Sequence, residues 1–168
     1  ALALHVPELK AARFRWLLAP TGTLLVRKGA ADRTFYWLAS GEARVIGRDG
    51  AGDLRHLANL YPGSGFGEAA LLESTPRSAD VLIYRSALVA SLDPDEFERA
   101  VPPPSRASFG DVILASQAFD RSPLFGRMPS PDKERWLSNG RGHRARAGEL
   151  VIAEGSTDQW LGLVVLGA

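Results

Sequence analysis

The sequence contains no cysteine in its 168 residues, which excludes disulfide bonds and thiolate metal ligands and fits a cytoplasmic setting. An excess of one charge is also lacking, because the formal net charge is +1. The chain therefore has no basic footprint for DNA or for an acidic membrane, and DNA is disfavoured as a partner. No apolar run reaches the ~18 residues that a membrane-spanning helix needs. The longest runs, at 81–90 and 161–168, are interpreted as buried strands.

Candidate catalytic and metal-binding groups are sparse as well. His5, His56 and His143 are isolated from one another, without the short spacing of metal ligands, so we predict no metal site. Ser64 and Ser74 lack the histidine and acidic partners of a nucleophilic triad, so no catalytic residue is predicted. The chain begins with alanine instead of methionine and has no signal-peptide pattern, so we expect a fragment of a longer protein.

Short apolar segments alternate with turns rich in glycine and proline across residues 13–92. One of these turns contains Asp49 and Gly50 in succession, which is a strong hairpin signal between two such segments. Many short strands joined by tight turns are typical of antiparallel barrels. The sequence therefore predicts a mainly β domain, an antiparallel β-roll or jelly-roll barrel.

The hydrophobic period changes from strand-like to helical after residue 92. Asp93 is a candidate N-cap, Pro94 suits the first helical position, and Glu96 can complete a capping box. This helix should end before the prolines at 102–104. A second helix is predicted at roughly Ser105–Phe119. The barrel is thus expected to be followed by C-terminal helices.

The C-terminal part of the chain repeats the beginning of the β region. A shift of 126 residues aligns positions 21–41 with positions 147–167. Glycine, leucine and aspartate agree in the two copies at Gly22, Leu24, Gly29, Asp32 and Gly41, which fall on Gly148, Leu150, Gly155, Asp158 and Gly167. We interpret the shared glycines as turns that need a positive φ, and the repeat as a duplication.

These patterns divide the chain into three parts. Residues 1–104 are expected to form the β-roll with its first following helix, and residues 105–123 a connecting helix. Residues 124–168 are interpreted as the N-terminal part of a second, incomplete domain of the same kind.

The most informative stretch is GFGEAALLESTPRSADV, residues 65–81. Glu68 and Arg77 stand in it among small and apolar neighbours, where an unpaired charge is costly. Two interpretations are open. The two side chains neutralise each other as a buried pair, or they hold a ligand that carries an anionic end and a hydroxylated end.

Two segments of this stretch, FGEAAL at 66–71 and RSA at 77–79, resemble the phosphate-binding cassette of the cyclic nucleotide-binding domain family. The family pattern is Phe-Gly-Glu-x-Ala-Leu, followed after a few residues by Arg, then Ser, Thr or Ala, then Ala. The similarity extends over about residues 20–120. It implies the nucleotide-binding β-roll, or double-stranded β-helix, and a ligand site formed by Gly67, Glu68, Ala69, Ala70, Arg77, Ser78 and Ala79.

The resemblance also implies roles for these residues. Arg77 would hold the cyclic phosphate through two parallel charge-assisted hydrogen bonds. The helical turn that starts near Gly67 would offer backbone N–H groups, with the amide of Ala70 on the phosphate. Glu68 would accept a hydrogen bond from the ribose 2′-hydroxyl, and Ser78 would touch the base or the phosphate.

The expected ligand is cAMP, with cGMP as the alternative, because the hydroxyl of Ser78 decides little between them. No residue is assigned as the lid over the base: Phe109 and Phe119 are interpreted as core. The resemblance implies a non-catalytic regulatory module without a cofactor. It would couple ligand binding to its C-terminal helices and to an effector domain in the same or a partner chain, and a homo-oligomer is compatible with it. A nucleotide-free docking domain and the sensing part of a transcription regulator, larger enzyme or transporter remain open.

Overall fold

The computed structural model describes residues 9, 12–126, 128–140, 143 and 145–157. Six strands and four helices follow one another in it. The strands are β1 (Arg15–Ala19), β2 (Leu24–Val26), β3 (Phe35–Arg48), β4 (Leu54–Leu60), β5 (Gly65–Phe66) and β6 (Asp80–Leu92). The helices are α1 (Glu68–Glu73), α2 (Pro94–Ala100), α3 (Pro103–Arg121) and α4 (Ser130–Asn139). Among these helices, none has the length and apolar character that crossing a membrane requires.

The strands form one antiparallel sheet in the order β1–β6–β3–β4, with β2 also paired to β6 and β5 to β3. The two central strands are long, with 14 residues in β3 and 13 in β6. Their register shifts three times between Leu38 and Ala43, and such irregularities bend a strand pair. The predicted antiparallel β-roll with flanking helices is confirmed.

Gly41 lies within the irregular part of β3. The sequence predicts a turn there, which is correct for the backbone angle, φ +86°, but wrong for the element, because β3 continues through this position to Arg48. A Cβ atom at Gly41 would lie 2.6 Å from the Cα of Ala87 in β6. The glycine is therefore required by the close approach of two strand backbones inside the sheet.

Two hydrophobic clusters form the core. One fills the roll and consists of Ala19, Val26, Leu38, Ala43, Leu60, Phe66, Val81, Ile83, Ala87 and Val89. The other joins the roll to the helices and consists of Leu9, Phe35, Leu71, Leu92, Phe97, Val101, Phe109 and Ile113. The ring of Phe109 is fully buried, 5.1 Å from that of Phe35, and Phe119 is 8% exposed. Both aromatic residues are core, as the sequence predicts.

The start of helix α2 is predicted correctly, but the Glu96 side chain contacts Arg13 and Arg99 instead of completing the predicted capping box. The Asp93 side chain accepts a hydrogen bond from the Glu96 amide at 2.9 Å, and Pro94 occupies the first helical position. The Glu96 carboxylate accepts from the Arg13 amide at 2.9 Å and pairs with Arg99. This carboxylate thus connects α2 to the residues that lead into β1.

Helix α3 begins at Pro103, two residues before the predicted start, and ends at Arg121, two after the predicted end. The earlier start has a simple reason, because the first turn of a helix tolerates proline, whose missing N–H would have no partner there. Helix α4 follows α3 and was not predicted. Aromatic rings connect the two helices, with Phe125 lying 5.2 Å from Phe119 and 5.8 Å from Trp136.

The turns of the predicted repeat adopt the same backbone in both copies. Gly22 and Gly29 have φ of 87° and 80°, and their counterparts Gly148 and Gly155 have φ of 83° and 79°. The turn hydrogen bonds also correspond. Thr23 N donates to Pro20 O at 3.1 Å and Glu149 N to Arg146 O at 3.0 Å, and likewise Ala30 N donates to Arg27 O and Ser156 N to Ala153 O, both at 3.1 Å.

The strands of the predicted second copy are not seen in the part of the chain that the structure describes. Positions 150–152, the counterpart of β2, contain no strand. In the first copy, β2 is paired with β6. Positions 143 and 145–157 contain no strand that could pair with 150–152 in the same way. A strand of this length is not stable without such a partner. The counterparts of Asp32 and Gly41, Asp158 and Gly167, lie outside the described residues.

Candidate ligand-binding site

The turn from β5 into α1 depends on glycine. Gly67 is the N-cap of α1 and has φ 88°. A Cβ atom at this position would lie 2.8 Å from the Thr34 carbonyl oxygen and would collide with Nη1 of Arg77. The buried side chains of α1 are Ala70 and Leu71, and they anchor the helix on the core. The turn therefore places the first residue of α1, Glu68, beside the arginine.

Arg77 lies in the loop between α1 and β6, and it is only 4% exposed. Its Nε donates to Asp32 Oδ2 at 3.0 Å, and its Nη2 donates to Asp32 Oδ1 and, at 2.6 Å, to the Thr34 carbonyl. Its Nη1 donates to the Gly67 carbonyl at 3.3 Å. The carboxylate that pairs with Arg77 is thus that of Asp32, and not that of Glu68. A two-pronged pair of this kind fixes the plane of the guanidinium.

Asp32 is a member of the site that motif reading missed. The only signal for it in the sequence is the repeat, which aligns Asp32 with Asp158. The hydrogen bond from Arg77 holds the pKa of the Asp32 carboxyl below its ordinary value. The backbone supports the same contact, because Arg77 N donates to Ala30 O at 2.9 Å and Gly29 N donates to Arg77 O at 2.8 Å.

We predict that Asp32→Asn lowers the free energy of unfolding at pH 7 by about 1–2 kcal/mol. This is less than the ~3–5 kcal/mol of a fully buried pair, because the Asp32 side chain is 46% exposed. The pKa of Asp32 is depressed in the folded state, so its contribution is present above about pH 4 and is lost as the pH falls through the folded-state pKa. Urea unfolding from pH 7 to pH 3 should show this pH-dependent loss of stability in the wild type but not in Asp32→Asn. Asp53→Asn is the control, and equal acid sensitivity of Asp32→Asn and wild type would contradict the prediction.

The Glu68 side chain is partly buried. Burial raises its pKa above the ordinary value, and hydrogen bonds from the Gln117 side chain and from backbone amides of the Gly67–Glu68 turn oppose that rise, as does the charge of Arg77. Glu68 is therefore a partly buried carboxylate beside the charge of Arg77.

Helix α3 contributes side chains that the sequence analysis did not identify, since no motif marks them. Gln117 Nε2 donates to the Gly65 carbonyl at 3.3 Å. One turn later, Asp120 Oδ2 accepts a hydrogen bond of 2.6 Å from the buried hydroxyl of Ser64. Both contacts reach residues just before the cassette, so polar groups hold the end of α3 next to the cassette.

A cavity of about 290 Å³ opens between these elements, at the lower limit of the usual small-molecule range of about 300–1,000 Å³. Its polar lining contains Glu68, Arg77, Ser78, Asn59, Gln117, Asp120 and Arg121, together with Gly67 and Ala79. Its apolar lining contains Val26, Val45, Leu57, Ala58, Leu60, Phe66 and Val81.

The structure thus brings five of the predicted ligand residues to one cavity: Gly67, Glu68, Arg77, Ser78 and Ala79. The other two, Ala69 and Ala70, do not line it, and the Ala70 side chain is buried in the core. A cavity lined by a guanidinium, a carboxylate and several aliphatic side chains fits a molecule with an anionic group, a hydroxyl and a flat apolar part. Within the described residues, no cluster of three or more histidine and acidic side chains could hold a metal ion.

Comparison with known proteins identifies a family for this chain. A sequence model of the cyclic nucleotide-binding domain matches residues 17–101. The cAMP-dependent protein kinase regulatory subunit of Aspergillus fumigatus is 37% identical over 84 residues, which are 50% of this chain and 20% of that protein. This chain therefore spans about a fifth of the length of that relative.

Two solved structures share the fold. The catabolite activator protein of Thermus thermophilus superposes with a TM-score of 0.57 at 27% identity, covering 68% of this chain and 52% of that one. The regulatory domain of Toxoplasma gondii PKA, solved with cAMP, gives a TM-score of 0.56 at 22% identity, covering 78% of this chain and 49% of that one.

Proposed function

Since this chain belongs to the cyclic nucleotide-binding domain family, we propose that it is a non-catalytic sensor module that binds a cyclic mononucleotide, preferentially cAMP, in the cavity lined by β4, α1, the α1–β6 loop and α3. The observation that carries the proposal is that Arg77 and Glu68 line the same cavity together with several aliphatic side chains. The relative from A. fumigatus, named as a cAMP-dependent regulatory subunit, supports cAMP over cGMP.

The phosphate would bind at Arg77. A guanidinium has five N–H donors, and among the described residues four of them have partners in Asp32, Thr34 and Gly67. The fifth belongs to Nη1, on the side of Gly67 and the cavity. Ala69 and Ala70 would add backbone contacts, because their amides lie in the first turn of α1, where helix N–H groups lack intrahelical partners. Ser78, which is exposed at the cavity, would touch the base or the phosphate.

The ribose 2′-hydroxyl would donate to Glu68. Binding a 2′-deoxy nucleotide would bury this carboxylate without that partner, and leaving a buried charged acceptor unsatisfied is costly. The site should therefore select ribonucleotides over deoxyribonucleotides.

Glu68→Gln is predicted to raise the melting temperature of the unliganded protein at pH 7. The pKa of Glu68 is raised by burial, so the carboxyl stabilises the fold below its unfolded-state pKa of about 4.3, and this contribution is lost as the pH rises through the folded-state pKa. Glutamine keeps an acceptor for Gln117 without the charge. Melting curves between pH 4 and pH 8 should show a smaller decline toward neutral pH in Glu68→Gln than in wild type. Parallel curves for the two proteins would contradict the prediction.

The signal would pass from the cavity to α3. Its last turns contact Ser64 and Gly65, just before the cassette, through Asp120 and Gln117, and Val101 and Pro102 separate α3 from α2. A ligand changes a helix position only through different affinities for the two arrangements. Distances between spin labels on β1 and α3 should differ between unliganded and saturated protein, and unchanged distances would refute the coupling.

We also propose that residues 124–168 begin a second domain of the same family. The matching turns at Gly22 and Gly148, and at Gly29 and Gly155, support this. The effector would then be a further domain of the same chain or a partner protein.

Thermal unfolding with cAMP, cGMP and 2′-deoxy-cAMP tests the sensor proposal. A ligand at 100 times its dissociation constant stabilises a protein by about 2.7 kcal/mol, which for this chain length is a rise of roughly 5–10 °C. We expect that rise with cAMP, a smaller one with cGMP, and little with the deoxy analogue at the same concentration. No rise with any of them at millimolar concentration would refute the proposal.

A nucleotide-free docking domain is the second candidate. One observation favours it: the guanidinium of Arg77 is already paired with Asp32, as expected of an arginine that only stabilises the roll. The two candidates differ in the same melting experiment, because a docking domain would show no rise with nucleotide.

A further inference from the structure

Strand β1 lies at one end of the sheet and has an open edge. It pairs with β6 and, in the part of the chain that the structure describes, with no other strand. Along it stand three consecutive large apolar side chains, Trp16, Leu17 and Leu18, which are 63%, 43% and 78% exposed. Exposed apolar residues are ordinary when they are scattered, but a contiguous run on an open strand edge favours pairing with another strand.

The usual protection of a sheet edge is missing from β1. Proteins protect such edges with bulges, charged side chains or a covering element. The pairing of β1 with β6 runs from Arg15 to Ala19 without a register shift, and its single charged side chain, Arg15, is bound to Asp93 at 2.9 Å. At the other end of the sheet, β4 has a register shift and the exposed Arg55, and it lines the cavity together with α3. Of the two outer strands, β1 is therefore the one whose edge can accept a further strand.

We propose that β1 is the interface of a two-fold dimer, in which it pairs antiparallel with β1 of a second molecule of this chain. A two-fold interface uses the same patch of both molecules, and an antiparallel pair of identical strands meets this condition. With Leu17 on the axis, Trp16 lies opposite Leu18 of the second molecule, and this pair of an aromatic and an aliphatic side chain occurs twice. The proposal does not depend on the binding of a nucleotide.

The distribution of charge favours this occupant and this orientation. Residues 16–19 carry no charge, and Arg15 already has a partner in Asp93, so the strand offers no free charge to an acidic or basic partner. In the antiparallel arrangement Arg15 lies opposite Ala19 of the second molecule, and the two arginines are about 14 Å apart along the strands, beyond the screening length of about 8–10 Å. A parallel arrangement would place the two arginines side by side, which is destabilising.

The dimer is expected to be weak. A few side chains on each molecule bury less than the ~1,200–2,000 Å² of a stable complex, so we expect a dissociation constant on the order of 10–300 μM. Sedimentation velocity of the whole chain from about 5 μM to about 1 mM measures this constant, because self-association depends on concentration. The measured mass should rise with concentration toward twice that of the monomer.

Lysine substitutions locate the interface. Trp16→Lys and Leu18→Lys each place a charge on the edge of both molecules, and each should weaken the dimer at least about tenfold, because a lysine on an edge strand opposes pairing. Leu54→Lys is the matched control, since Leu54 is 64% exposed at the start of β4. It should leave the dissociation constant within about twofold of wild type. All three positions are exposed, so the variants should fold, which urea unfolding verifies.

Cross-linking tests the register of the two strands. Because the sequence contains no cysteine, Leu17→Cys and Leu54→Cys each carry one thiol. A bismaleimide that spans about 8 Å should join two Leu17→Cys molecules, since side chains opposite each other in an antiparallel pair have Cβ atoms about 4.5–5.5 Å apart. The same reagent should join few Leu54→Cys molecules.

Three results would overturn the proposal. The first is a wild type that remains monomeric at about 1 mM. The second is a dimer that neither Trp16→Lys nor Leu18→Lys weakens, or that Leu54→Lys weakens equally. The third is equal cross-linking of Leu17→Cys and Leu54→Cys, which decides against pairing about Leu17 even where a lysine variant fails to fold.

Discussion

Replacing Arg77 by lysine should weaken cyclic nucleotide binding by roughly 30-fold to several thousand-fold, which corresponds to the ~2–5 kcal/mol that truncating one member of a buried charged pair costs. Lysine keeps the positive charge, so the prediction concerns geometry. The guanidinium is held flat by Asp32, Thr34 and Gly67, which fixes the direction of the remaining Nη1 N–H that would bind the phosphate. An ammonium group on a flexible stem is a point charge without such a fixed direction.

Calorimetric titration of cAMP into wild type and Arg77→Lys measures this loss. Arg85→Lys is the matched control, because Arg85 is an exposed arginine of the same roll, paired with Glu42 at 3.4 Å and absent from the cavity lining. It should bind as wild type does. Arg77→Lys also gives up the two-pronged bond to Asp32, so its folded state must be verified by urea unfolding. Equal affinities of Arg77→Lys and wild type would show that the nucleotide phosphate binds elsewhere.

The largest effect on stability is expected for Gly41→Ala. The Cβ atom would collide with the Ser86 carbonyl oxygen and lie 2.6 Å from Ala87 Cα and 2.7 Å from Ala87 Cβ. These are main-chain atoms and the first side-chain carbon of β6, so β3 and β6 would have to separate. The left-handed φ adds roughly 1–2 kcal/mol for a residue with a side chain. We expect the free energy of unfolding to fall by more than about 4 kcal/mol, a decrease typical of severe damage to a protein core.

Gly50→Ala is the control for that substitution. A Cβ atom at Gly50 has no heavy atom within 4 Å, and its φ is not left-handed. Its unfolding free energy should stay within about 0.5 kcal/mol of wild type. Urea unfolding of wild type, Gly41→Ala and Gly50→Ala tests this prediction, and the soluble yield of Gly41→Ala is recorded as well. A Gly41→Ala protein within about 1 kcal/mol of wild type would mean that the two central strands are not packed as closely as described.

Sequence signals correctly predicted the elements that depend on contacts between residues close together in the chain. The Asp93 cap and Pro94 predicted the start of α2 because a cap is a contact between residues three apart. The short apolar segments between turn residues predicted strands in the region of β3 and β6. It did not show that β3 passes through Gly41 as one bent strand, because the bend follows from the pairing with β6, which is a long-range property.

The site was predictable in part for the same reason. Glu68 and Arg77 belong to a contiguous cassette whose pattern can be read along the chain. Asp32 binds Arg77 across 45 positions, and Gln117 reaches Gly65 across 52, and nothing in the local sequence of either residue indicates its partner. The buried Glu68–Arg77 pair was a reasonable alternative on composition alone. Only the folded arrangement identifies Asp32 as the partner of the arginine.

The most direct test of a cyclic nucleotide site in this cavity is a two-dimensional amide NMR titration of the isotope-labelled chain with cAMP. The account predicts saturable shifts, with one ligand per site, that are largest for the amides of 67–70 and 77–79 and extend to Gln117 and Asp120 in α3. Spectra that do not change at millimolar cAMP, or that change only at residues remote from the cavity such as those of β1, would contradict it.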